Sequence, residues 1–265
     1  MKIYKNILTA LLLSQGGGLF AQGQILAEFD DSKEPEVFHI SPASEERQMG
    51  RFFDGTLKTD QPGNAAAHYY KALLIFKDRE QDPEIDEKVS NWVSNGLEKE
   101  EVDEALALVD ERRLEINEII RASEIGPCDW DHPIREEGFG LLLPHLSGLK
   151  GLSKWLLLDA RIAAAQENYE SSLESLGALF RMSQHIAEGG TLIEGLVAIA
   201  ITSMALNQME SLIQQPGCPS LYWSLTELPS PFLDVKKSMK WEMMAEMFFD
   251  STELRKGPQS FSLEK

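Results

Sequence analysis

The sequence predicts an all-α domain of helical hairpins, packed as a bundle or a short solenoid-like array. Three observations point there. Apolar residues recur at spacings of three and four through most of the chain after residue 64, the period of one helix face. The breaks between these runs carry helix-starting Asn-Ala or Asp-Pro and helix-ending Gly or Gly-Pro. The stretch 141–214, dense in Leu, Ala and Ile, reads as three consecutive helices.

Residues 1–23 open with Lys2 and Lys5, continue with the apolar run 7–13, and end in small and polar residues. That order is the layout of a secretory signal, with cleavage expected after Ala21 or Gly23. The apolar run is far shorter than the ~20 residues that span a bilayer. The expected location is therefore periplasmic or secreted, the alternative being an uncut N-terminal tether. Residues 24–40 read as an extended leader, and 41–250 as one helical domain with its central helices at 141–215. Residues 251–265 read as a disordered tail.

Within the domain a short helix is expected at 41–53. Asn64 caps a helix over 65–77 whose inner face is Ala66, Tyr69, Tyr70, Leu73 and Leu74. Asp82-Pro83 starts the next, with Ile85, Val89, Trp92 and Val93 inside and Gly96 as the stop. A long charged helix is expected over 98–123, with Val102, Leu106, Val109, Ile116, Ile119 and Ile120 as its seam. Gly126-Pro127 ends it.

The first central helix opens at Pro144, where a missing N–H costs little, and places Leu146, Leu149, Leu152, Leu156, Ala160 and Ala163 on one face. The second covers 170–188 and ends at Gly189-Gly190, glycine being free to turn left-handed. Thr191 caps the third, whose middle, 196–201, is apolar all round, so it is expected at the centre of the bundle. Glu194, Thr202, Asn207 and Glu210 interrupt it, and no membrane span is expected after signal cleavage. A short helix at 220–228 and a Met- and aromatic-rich helix at 233–250 follow.

The segment Ala160-Arg-Ile-Ala-Ala-Ala-Gln-Glu-Asn-Tyr-Glu-Ser-Ser-Leu173 is similar to the helical hairpin of a tetratricopeptide repeat, with Tyr169 at the turn and Ser172 where that family has alanine. No second copy follows at the ~34-residue period. Several pieces taken together resemble a family of uncharacterised secreted proteins from planctomycete-type bacteria. They are Asn64-Ala-Ala-Ala-His-Tyr-Tyr-Lys-Ala-Leu73, Asp129-Trp130, Leu143-Pro-His-Leu-Ser-Gly-Leu149, Thr191-Leu-Ile193 and Leu221-Tyr-Trp-Ser-Leu-Thr-Glu-Leu-Pro229. The resemblance implies an exported all-helical protein and brings no activity with it.

The formal charge is −18. Loss of 1–23 removes Lys2 and Lys5 and no acid, leaving 23 basic against 43 acidic residues and a charge of −20. Such a surface repels nucleic acid and anionic membranes and favours basic or cationic partners. Phosphate loops, a Gly-x-Ser-x-Gly elbow and basic–aromatic patches are absent from the sequence, which leans against an enzyme.

The richest site candidate is the loop Cys128-Asp-Trp-Asp-His-Pro-Ile-Arg-Glu-Glu137. Thiolate, imidazole and carboxylate are the groups that hold divalent metals, and Asp129, Asp131 and His132 are the candidate ligands. The plainer reading has Trp130 anchoring the loop and the acids facing water. Cys128 and Cys218, the only cysteines, form a candidate disulfide in an exported protein. The leading functional expectation is an exported interaction or scaffold domain with a protein or peptide partner and no cofactor. The alternative is a hydrolase or metal-binding protein centred on 128–137, with a divalent metal.

Overall fold

The computed structural model describes residues 61–78, 82–133, 137, 141–226, 228–236 and 238–240. The expected signal, leader, helix at 41–53 and tail, and the part of the expected last helix beyond 240, lie outside the described residues. Contacts divide the chain into Met1–Ile40 and Ser41–Lys265, and every described residue belongs to the second unit. Among the described residues the architecture is all-α, with one isolated bridge between Gln61 and Ile125.

Helix α1 (Ala65–Asp78) starts where the Asn64 side-chain oxygen accepts from the Ala66 N–H at 3.1 Å, a local N-cap. It buries Ala65, Ala66, Tyr69, Ala72, Leu73 and Phe76. That stripe is narrower than expected: Leu74, one rim position over, is 71% exposed, and Tyr70 lies at the edge. Helix α2 (Pro83–Asn95) has Asp82 accepting from the Glu84 N–H at 2.9 Å, and the Gly96 N–H closes it on the Trp92 carbonyl at 3.0 Å.

The long helix expected over 98–123 is instead a 3-10 turn (Lys99–Glu101), α3 (Val102–Glu111) and α4 (Arg113–Ser123). The break is at Arg112, whose backbone leaves helical geometry (φ −100, ψ 11). Its guanidinium turns inward, 5.3 Å from the Phe76 ring centre, 5.4 Å from that of Trp155, and 3.6 Å from the Glu115 carboxylate. Cation–π contacts with two rings from other helices compensate for the interruption. Helix α4 is clamped to α1 by buried Glu118, which accepts from Lys71 at 2.7 Å and His68 at 2.9 Å.

Helices α5 (Pro144–Ala165), α6 (Tyr169–Glu188) and α7 (Leu192–Ile213) form consecutive hairpins. In the first turn, Asn168 accepts from the Ser171 N–H at 3.2 Å, the Ser172 hydroxyl donates to the Ala160 carbonyl at 2.8 Å, and the Tyr169 hydroxyl donates to the Pro216 carbonyl at 2.7 Å. The centre of the bundle is α5, which packs against α1, α2, α3, α4, α6 and α7. Glycine permits its close approach to α1: a Cβ on Gly148 would lie 2.4 Å from Leu73 Cδ2.

The expectation that α7 is central does not hold. Among the described helices it packs chiefly on α6 and α5. Its buried positions include small or polar Gly195, Ala198, Thr202, Ala205 and Gln208, while the bulky Ile193 and Leu196 face out. Arg161 of α5 fixes it by donating to the Gln208 side chain at 2.7 Å while also capping the Trp92 carbonyl at the end of α2. By length and composition α7 is apolar enough to cross a membrane, and 44% of its 18-residue window is buried. A five-residue helix, α8 (Tyr222–Thr226), follows, and the chain returns to α7, where Val235 and Ser238 lie against Gly195.

The candidate disulfide is not formed; Cys128 and Cys218 are free thiols. The Cys128 N–H donates to Glu188 at the end of α6, while Cys218 sits beside Tyr169 at its start. A twenty-residue helix separates them by ~28 Å at its usual rise, and a disulfide needs Cα atoms within ~7 Å.

Replacing Leu156, fully buried in α5, by alanine is expected to lower unfolding free energy by about 2–5 kcal/mol. Exposed Leu114→Ala is expected to stay within about 0.5 kcal/mol of wild type. Urea unfolding followed by circular dichroism reads both.

Candidate functional site

The loop 127–133 is built from short-range bonds between its own backbone and α1. Asn64 grips Asp129 twice, its amide donating to the Asp129 carbonyl at 2.7 Å and its oxygen accepting the Asp129 N–H at 2.9 Å. The Asp129 carboxylate accepts the Asp131 N–H at 3.0 Å, an Asx turn that carries Asp131 into a left-handed conformation at φ 52. Both acids are exposed. Of the three ligands suggested by spacing, Asp129 and Asp131 shape the loop, and only His132 turns into the protein.

Trp130 drives that inward turn. It is buried, and its indole N–H donates to the His185 carbonyl on α6 at 2.8 Å. Its ring stacks on Tyr69 at 5.6 Å and on His145 at 4.7 Å, with Tyr70 edge-on at 5.6 Å. Offset stacking of this kind adds to the burial of large rings. His132 follows two residues later, its ring 5.1 Å from that of His145.

Glu194 completes the group. As the third residue of α7 it forms a reciprocal capping box with Thr191: one carboxylate oxygen, Oε2, accepts the Thr191 N–H at 3.0 Å and the Thr191 hydroxyl at 2.9 Å. The other, Oε1, faces His132 Nε2 at 2.7 Å and His145 Nε2 at 3.5 Å. The side chains are 8% exposed for His132, 2% for His145 and 0% for Glu194. Burial by itself would raise the Glu194 carboxyl; the approach of His145, the Thr191 amide, His132 and the Thr191 hydroxyl outweigh it and hold the group below the usual carboxylate range. It is an ionised acid between two imidazoles. His145 Nε2 is buried and makes no hydrogen bond, 3.5 Å being too long for one.

The carboxylate also explains Gly189. A Cβ there would stand 2.0 Å from Glu194 Oε1 and 2.4 Å from Oε2. Gly189 remains helical, and it is Gly190, at φ 91, that takes the left-handed turn.

A further histidine has a different task. His185 Nδ1 accepts from the Tyr69 hydroxyl at 3.0 Å, and its Nε2–H donates to the Gly126 carbonyl at 3.2 Å. Burial, with the Arg181 cation nearby, lowers its pKa to about 3, so it is a neutral packing element. Burial, reinforced by Glu188, pushes the Cys128 thiol far above its ordinary value, so it stands as a protonated thiol in the folded chain.

Local spacing could not have found His145 and Glu194, because 62 residues separate His132 from Glu194. The one available signal was the Thr191-x-x-Glu194 capping box. The chain matches no protein-family profile, no curated protein and no solved structure.

Gly189→Ala is expected to displace the Glu194 carboxylate and cost about 1–3 kcal/mol; an unchanged urea midpoint would refute the close approach. His185 gives a pH prediction. Its folded pKa, about 3, lies below its reference value of 6.5, so on acidification the unfolded chain takes the proton first. Stability is complete above about pH 6.5 and falls from there toward pH 3, by roughly 2 kcal/mol at pH 5. The His185 imidazole NMR signals should stay at neutral positions down to pH 4.5.

Proposed function

We propose that this chain is an exported helical interaction domain that presents the outer face of α7 to a protein partner. The observation that carries the reading is the apolar stripe on that face. Ile193 and Leu196 are 58% and 57% exposed, Ala200 is exposed, and Val197 and Met204 are half-buried on the same flank. Spacings of three, four and seven align these residues along one side of the helix. Contiguous apolar surface of this kind marks interaction sites, and a facing amphipathic helix is the partner it suits. The formal charge of −18 favours basic residues around that partner's apolar strip. Glu194 lies between Ile193 and Leu196 in the first turn, so the His–Glu–His group and the stripe share one rigid helix end.

Of the alternative from the sequence, a hydrolase or metal-binding protein centred on 128–137, only the metal-binding reading gains from a separate observation, the convergence of His132 from the loop with His145 and Glu194; Asp129 and Asp131 take no part in it.

The test places a photo-crosslinking amino acid at position 196 of the full chain, with position 114 on α4 as an exposed apolar control. A discrete adduct is expected from 196 and not from 114, and Ile193→Asp in the same chain should abolish it. Equal labelling at both positions would refute a dedicated face.

A further inference from the structure

We infer that His132, His145 and Glu194 form a binding site for one divalent transition-metal ion, with zinc the best match. This goes beyond the interaction reading and stands whether or not α7 meets a partner.

The donor atoms carry the argument. One ligand atom from each residue lies within 4.8 Å of the other two. Zinc bonds of about 2.0–2.2 Å to nitrogen and oxygen place tetrahedral ligands about 3.3 Å apart. Glu194 Oε1 lies 2.7 Å from one imidazole nitrogen and 3.5 Å from the other, values that bracket this spacing, and the two imidazoles, within 4.8 Å of each other, close toward the ion on binding. Both histidines offer the same atom, Nε2, to a common point.

Burial makes the case independent of proximity. The His145 Nε2 atom is buried without a hydrogen-bond partner, and leaving such a group unsatisfied costs free energy. A cation shared with Glu194 Oε1 removes that deficit. The carboxylate is already ionised, and its second oxygen is fixed by Thr191, as outer partners fix a metal-binding carboxylate. The Trp130 ring, stacked on His145, fixes the imidazole plane in the same way.

Two imidazoles and one carboxylate suit zinc and its neighbours. Calcium and magnesium prefer all-oxygen sites. On binding, each imidazole offers the Nε2 lone pair and carries its proton on Nδ1; His132, which donates through Nε2 to Glu194 without the ion, shifts that proton to Nδ1 if the ring is neutral, and a ring protonated beforehand releases one proton to solvent. The ion ties loop 127–133 to the first turns of α5 and α7, which makes it a structural cross-link.

Metal-free full-length protein is titrated with zinc chloride against a chromophoric chelator, and imidazole NMR signals are followed in the same sample. The inference expects one equivalent bound at micromolar or tighter affinity. It expects His132 and His145 signals to shift while His68 and His185 stay in place, and the melting temperature to rise. His132→Ala should weaken binding at least ten-fold, while His68→Ala leaves it unchanged. No binding by folded wild-type protein at 100-fold molar excess, or shifts confined to His68, would overturn it. Because the wild-type NMR shifts need no variant, a His132→Ala protein that fails to fold leaves the test intact.

Discussion

The carboxylate of Glu194 is fully buried, and its surroundings are arranged to keep it charged. An ionised acid out of contact with water is tolerated only with donors on both oxygens. Thr191 supplies two to one oxygen, and His132 supplies one to the other, with His145 beyond hydrogen-bonding range. The glycine at 189 follows from the space the carboxylate occupies. So does the position of the 127–133 loop, which must deliver His132 to that point. One side chain thus sets the start of α7, the end of α6 and the course of the loop.

Trp130 is the counterpart on the loop side. Asn64 and the Asx turn at Asp129 aim the backbone, but the indole fixes depth by stacking between Tyr69 and His145 and bonding to the α6 backbone. A short loop carrying two acids and a histidine would otherwise stay in water. The neutral His185 supports the assembly from below: it accepts from Tyr69 and donates to Gly126 while its backbone carbonyl receives Trp130.

What was legible in the sequence was what is decided locally. Caps at Asn64, Asp82-Pro83 and Thr191 act within four residues, and each helix begins where they place it. The break at Arg112 was not legible, because its cause is a pair of rings, Phe76 and Trp155, on two other helices. The outward turn of α7 was missed for a related reason. Hydropathy counts Leu196 as core, whereas packing against α5 and α6 selects small buried residues such as Ala198 and Ala205, whose size lets the backbones approach. In the site, Asp129 and Asp131 drew attention by proximity in sequence, yet they staple the loop. His145 and Glu194 each had an adequate local explanation, a residue of a leucine-rich helix and a capping acid, and only the fold brings them together.

The two thiols at opposite ends of α6 have a consequence for how the chain matures in an oxidising medium. A bond between them cannot exist in the finished protein, so it can only be acquired earlier, by a chain still loose enough to bring the sulfurs together. Once made, it would prevent α6 from extending between its neighbours, and the hairpins on either side could not close. Of the two sulfurs, Cys128 is withdrawn when Trp130 seats the loop, whereas Cys218 stays half-accessible. Were the chain to fold in an oxidising medium, the loop would have to close before oxidation reached it.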